Sequence, residues 1–200
     1  MRARPVRDQR GVTLLVALLL LIAVLLVGAS AARMAWQGEK AARAERDRHI
    51  ALQAAEDALM DAESDIDGTP GMPSGRSALF AGGSARGFAD GCTAAGNAQG
   101  LCAHAAADVA PVWQSVDLGG DDGGAARSVE YGQFSGAPMQ TGVGFLPFKR
   151  PRYIIERMIC HRPGEEAGAT SSYCYRVTAI GFGARPATEA VLQTVYRRPE

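Results

Sequence analysis

Four cysteines and three histidines are the side chains with the most chemistry to offer in this 200-residue sequence. Cys92 and Cys102 bracket nine residues of glycine-rich chain, and a hairpin between residues 160 and 174 would bring Cys160 close to Cys174. Bridging 92 with 102 and 160 with 174 is the local connectivity out of the three that four cysteines allow. Each bridge would contribute about 2–3 kcal/mol by restricting the unfolded chain. Zinc is the rival chemistry, since Cys92, Cys102, His104, Cys160, His161 and Cys174 supply enough ligands. Yet no Cys-x-x-Cys pair is present and the spacings of zinc modules are absent. The missing dyad also argues against thiol redox catalysis.

Nucleophilic catalysis has less to stand on. There is no Gly-x-Ser-x-Gly elbow, Ser-x-x-Lys, His-Glu-x-x-His or P-loop. His49 falls in a charged helical stretch, His104 in a loop and His161 in a turn, where each reads as a solvated side chain rather than a base. Glu165-Glu166 lies in a turn with no apolar surround to raise a pKa. The expectation is a protein without catalytic, cofactor-binding or metal-binding residues, and not an enzyme.

The elements that position these residues begin with an asymmetry. Lys plus Arg and Asp plus Glu balance at 21 each, which removes the global basic field of a non-specific nucleic-acid binder. It equally excludes a long acidic solvating chain. The first ten residues carry Arg2, Arg4, Arg7 and Arg10, then Gly11, and residues 12–32 run 21 positions without a charge. As a helix this run is about 31 Å long, matching a hydrocarbon core of about 30 Å. The preceding arginines keep the amino end in the cytoplasm and send the remainder across. The apolar run is too long for the core of a cleaved secretory signal, although Ala29-Ser30-Ala31 offers a cleavage site.

From Arg33 to Asp67 there is no proline and the only glycine is Gly38, so the helix continues well beyond the apolar run. Leu52, Ala55, Leu59, Ala62 and Ile66 form an apolar stripe at helical spacing. Gly68 and Pro70 end it. Basic residues lie in the first half of this segment. Glu56, Asp57, Asp61, Glu63, Asp65 and Asp67 crowd the second, where they oppose the helix dipole. Such a run reads as a solvated face, or as a face that meets something basic.

The basic leader Gln9-Arg10-Gly11 followed by Val12-Thr13-Leu14-Leu15-Val16 resembles the class III leader of type IV pilins and pseudopilins. The segment Arg46-Asp47-Arg48 running into Gln53-Ala54-Ala55-Glu56-Asp57-Ala58-Leu59 is similar to the PilX minor pilins. So are Tyr175-Arg176-Val177-Thr178-Ala179 and residues 189–196 near the carboxy end. The resemblance covers roughly residues 9–67 and 151–197. It implies cleavage between Gly11 and Val12 by a membrane-embedded prepilin peptidase, with the apolar helix retained. It also implies a structural role in pilus assembly beside other minor pilins, the major pilin and the inner-membrane assembly platform. Major pilins carry a glutamate at the fifth position after the cut; here that position is Val16.

Residues 68–150 hold 17 of the 24 glycines and little period, with short strands or turns expected around 110–116 and 127–131. Three strand candidates follow, at 152–160, 173–182 and 190–196, joined by connections short enough for antiparallel neighbours. The expected fold is α+β: a long amino-terminal helix, transmembrane and then amphipathic, packed on a small antiparallel carboxy-terminal sheet. The expected segments are a leader (1–11), the helix (12–67), a glycine-rich irregular region (68–150) and the sheet (151–200). The expected location is the inner membrane, single-pass, amino end cytoplasmic and head periplasmic, with the pilus tip as a destination. The competing readings are a tip pseudopilin of a type II secretion system and a signal-anchored periplasmic binding protein or enzyme.

Overall fold

A computed structural model describes residues 11–68, 76–81, 84–120, 126–161 and 172–198. The leader before Gly11, Pro70, residues 121–124 and Glu165-Glu166 lie outside the described residues. Contacts divide the chain into two compact units, 1–45 and 46–200. One helix, α1 (Val12–Asp67), contributes to both. Nothing interrupts it because its interior holds no proline, and it ends where Gly68 turns to φ +85° and donates its N–H to the Ser64 carbonyl.

In the second unit the β-branched and aromatic runs form β3 (Arg152–Cys160), β4 (Ser172–Phe182) and β5 (Glu189–Tyr196). β3 pairs antiparallel with β4, Ile155 opposite Val177, and β4 with β5, Ala179 opposite Leu192. Two short strands from the glycine-rich region enlarge this antiparallel ladder into a mixed sheet. β1 (Leu101–Ala103) lies parallel to β3, Leu101 opposite Ile155, and β2 (Val129–Glu130) pairs antiparallel with its start. A three-residue strand with one buried neighbour has too little period to be read locally. Residues Val112–Ser115 form a single helical turn, α2, rather than extended chain.

Strand alternation gives the sheet two buried faces. Tyr153, Ile155, Tyr175, Val177 and Ala179 share a core with Ala58, Ala62 and Ile66 of α1. Ile154, Ile180 and Phe182 face the other way, under a layer from the glycine-rich region that includes Cys92, Cys102, Val112, Val116 and Leu118. This region has little regular structure, yet it supplies five of the eight buried residues of this second core. The helix face turned inward is made of alanines: Ala51, Ala54, Ala55, Ala58 and Ala62 are buried, while Leu52 and Leu59 of the expected stripe are half-buried at its margin. Small side chains permit close approach. A Cβ on Gly181 of β4 would lie 2.1 Å from the Ala51 carbonyl oxygen.

Candidate functional site

Within the first unit, the functional element is the apolar stretch of α1 itself. Leucines and valines between Val12 and Val27 are exposed all round, with no buried side of their own. Ser30, one of two polar side chains in the stretch with Thr13, donates its hydroxyl to the Leu26 carbonyl and so does not present it unpaired to an apolar surround. This is a helix long and apolar enough to cross a membrane by length and composition. Gly11 immediately precedes its first turn and is exposed, and Val12 is 67% exposed. Val16 is on the helix surface, 48% exposed, where an acidic side chain would have room.

In the second unit, the acidic residues of α1 divide into two sets. Glu56 and Asp57 are exposed. Asp57 is pushed up by partial burial and by the neighbouring Glu56 charge. Asp47, Asp61 and Asp65 are buried on the alanine face, and each is held by a different part of the head. Asp47 accepts from the backbone N–H of Ala184 at 2.7 Å, from Arg185 Nε at 2.9 Å and from the Thr188 hydroxyl, which ties the β4–β5 turn to the helix. Asp61 accepts from the Gly132 N–H at 2.8 Å and from the Ser135 hydroxyl. Asp65 pairs with Arg76 at 2.7 Å, both side chains 0% exposed, and accepts from the Tyr153 hydroxyl at 3.1 Å. At the end of the helix, Tyr196 of β5 donates to Asp67 at 2.6 Å.

These surroundings move the carboxyls in opposite directions. Burial pushes Asp65 up to about 6, against the pull of the Arg76 charge and the Tyr153 and Arg76 hydrogen bonds. Burial also opposes the Asp47 charge, but the Thr188, Arg185 and Ala184 hydrogen bonds outweigh it and hold that carboxyl below its usual range. Because folding raises the Asp65 value above 3.8, the folded chain binds the extra proton between about pH 4 and 6, so this group adds stability as pH falls through that window. The ceiling on the gain is about 3 kcal/mol. Asp47 has the opposite sign: its contribution is complete above pH 3.8 and is lost as pH falls through its depressed value. Thermal melts of the detergent-solubilised chain should therefore rise as pH falls through the Asp65 window and peak at its low end, at about pH 4. Asp65→Asn should flatten the rise from pH 7 to 5, and an unchanged rise in that variant would remove Asp65 as its source.

The structure joins Cys92 to Cys102 and Cys160 to Cys174. The first bridge closes the loop that packs on the sheet, and the second ties the ends of β3 and β4. No group of three or more His, Cys, Asp or Glu side chains arranged to hold a metal occurs among the described residues. His161 is exposed at the end of β3, and His49 is exposed on α1. His104 is 54% exposed and its Nδ1 lies 2.6 Å from Glu156, a buried carboxylate that also accepts from Arg176 Nε at 2.9 Å. Of this trio His104 lines an open concavity of about 470 Å³, together with Phe88, Arg157, Met158 and Ile159. No serine, threonine or cysteine is among its lining residues.

Sequence reasoning passed over two buried charges, Arg76 and Glu156. Arg76 stands alone after a Gly-Met-Pro-Ser-Gly stretch, with no local pattern to mark it. Glu156 does carry a signal, since it falls on the same alternation as Ile154 and Met158 of the strand. The buried aspartates were also legible in principle, because Asp47, Asp61 and Asp65 keep helical phase with Ala51, Ala54 and Ala58.

No curated protein and no solved structure matches the chain. Two protein-family models do. The PilX N-terminal model matches residues 10–59, which take in the apolar run and the start of the alanine face. The model for the type IV pilus assembly protein PilX C-terminal region matches residues 90–198, which take in both disulfides and all five strands. Together they take in the helix up to Leu59 and the whole sheet, and the chain belongs to the PilX family of type IV pilus assembly proteins.

Proposed function

We propose that this chain is a minor pilin of the tip or priming complex, processed between Gly11 and Val12. Its apolar helix sits in the inner membrane before assembly, amino end cytoplasmic and head periplasmic. On extraction it packs among the helices of other minor pilins and the major pilin. The prepilin peptidase and the inner-membrane assembly platform are its other partners. The role is structural.

Val16 is the observation that carries the tip position. In a pilin bundle a glutamate there pairs with the free amine of a neighbouring subunit, and leaving either charge unpaired in an apolar surround is costly. A subunit with no earlier neighbour has no amine to neutralise and can lack the acid. The chain's exposed apolar surface at Val12, Leu15 and Leu19 supports the packing half of the reading.

N-terminal sequencing and intact mass of the membrane-fraction protein, with and without the prepilin peptidase, test the processing step. The expected result is a peptidase-dependent start at Val12. A start at Met1 would mean a simple anchor, and one near Ala32 a secreted protein. Val16→Glu should reduce incorporation or initiation, and fully unchanged assembly would remove the tip argument. Deletion should impair twitching motility; a defect confined to exoprotein secretion would instead favour a type II secretion tip pseudopilin.

A further inference from the structure

The Cys92–Cys102 bridge and the buried Asp65–Arg76 pair meet in one loop. Residues 92–102 are closed by the bridge, and inside that loop the carbonyls of Asn97 and Gln99 accept from Arg76 Nη1 at 2.9 and 2.7 Å. Turn bonds from Gln99 N to Gly96 O and from Gly100 N to Thr93 O set the direction of those carbonyls. Cys92 is held at φ +66°, a left-handed conformation that residues with a side chain rarely adopt. The guanidinium is enclosed: Nε faces Asp65, its carbon lies 3.9 Å from the Phe134 ring centroid, and Nη2 has no hydrogen-bond partner among the described residues. A buried cation with so few acceptors depends on each of them.

We propose that these residues form a redox relay: closing the Cys92–Cys102 bridge shapes the carbonyl cradle that seats Arg76, and seated Arg76 locks Asp65, and with it the last turns of α1, onto the sheet. Bridge formation consumes two thiols, and two electrons and two protons pass to a disulfide acceptor, which leaves as a dithiol. Reduction by a dithiol runs the same exchange backwards. In the reduced chain Cys92 relaxes out of its left-handed conformation, the Asn97 and Gln99 carbonyls turn away, and the Asp65–Arg76 pair loses the dipoles that support its cation. Residues 58–67 then loosen, while the β3–β4–β5 ladder holds. The second bridge has no such reach, because Cys160 and Cys174 join strands already paired over nine positions. The helix end is thus loose on a chain held in a reducing compartment and docks on oxidation. The relay stands apart from the tip reading, since it lies wholly within the head and is measured on a single chain.

The test is amide hydrogen exchange on the full chain in detergent. Dithiothreitol is added to a Cys160→Ser/Cys174→Ser background, in which only the first bridge can open. Exchange in residues 58–67 should accelerate at least about ten-fold while residues 152–160 and 172–182 keep their protection. Asp65→Asn in the same background should already show the faster exchange and respond little to dithiothreitol. Unchanged protection of 58–67 on reduction, or an undiminished response in Asp65→Asn, would overturn the relay. If protection falls in several regions, the time course after reduction decides. Loss at 58–67 before the strands supports the relay, and simultaneous loss overturns it.

Discussion

Replacing Arg76 by methionine is expected to cost the folded chain about 3–5 kcal/mol near neutral pH, the range for removing one partner of a buried ion pair. For a chain of this size that is a fall in Tm of about 10 °C or more. The substitution leaves the Asp65 carboxylate buried with only the Tyr153 hydroxyl to stabilise it, and leaves the Asn97 and Gln99 carbonyls without their donor. The cost should shrink as pH falls toward 5, because Asp65 escapes its isolation by taking a proton. Arg76→Met/Asp65→Leu should recover most of the loss, since an apolar pair of similar volume removes both desolvation penalties. Denaturant unfolding of the three chains at pH 5 and 7.5 measures all of this. A loss below about 1 kcal/mol in the single variant, equal at the two pH values, would show that the pair is not fully buried in solution.

Gly181→Ala should also be strongly destabilising, for a purely steric reason. The added Cβ would lie 2.1 Å from the Ala51 carbonyl oxygen, 2.3 Å from the Ala55 nitrogen and 2.9 Å from the Ala55 Cα. All three are backbone atoms of α1, so no side chain can swing aside; helix and sheet must separate. The separation would open the core between Ala58, Ala62 and Val177, and overpacking of this kind costs about 1–3 kcal/mol or more. Gly38→Ala is the internal control. Nothing lies within 4 Å of its added Cβ, and alanine is the better helix former by about 1 kcal/mol, so that variant should be neutral or slightly stabilised. Thermal melts of both variants, with near-ultraviolet circular dichroism to follow the packing of Tyr153 and Tyr175, distinguish the two effects. A Gly181→Ala chain as stable as its parent would mean that helix and sheet do not approach this closely.

How far the sequence reached follows from the range of each interaction. An uncharged run of 21 residues announces its own helix, and the β-branched runs at 152–160, 173–182 and 190–196 announce their strands. These signals are local, and so is the turn that brings Cys160 beside Cys174. The α+β class and the helix-on-sheet layering could be inferred from them. The glycine-rich middle is different. Its residues 101–103 and 129–130 are strands only because β3 lies beside them, and its apolar side chains are spaced by turns rather than by a period.

The helix face shows the same division most clearly. Alanine and aspartate are both ambiguous at a helix surface, since neither is apolar enough or bulky enough to declare which side is inside. Sequence alone determined that this helix is long, that its first half suits a membrane and that its second half carries ordered charge. Only the tertiary structure decided which acids are buried. Asp61 meets its Gly132 donor 71 residues away, and Asp47 meets Arg185 138 residues away. A buried charge is tolerated only where its partners have already been gathered, and that gathering is a property of the folded chain as a whole.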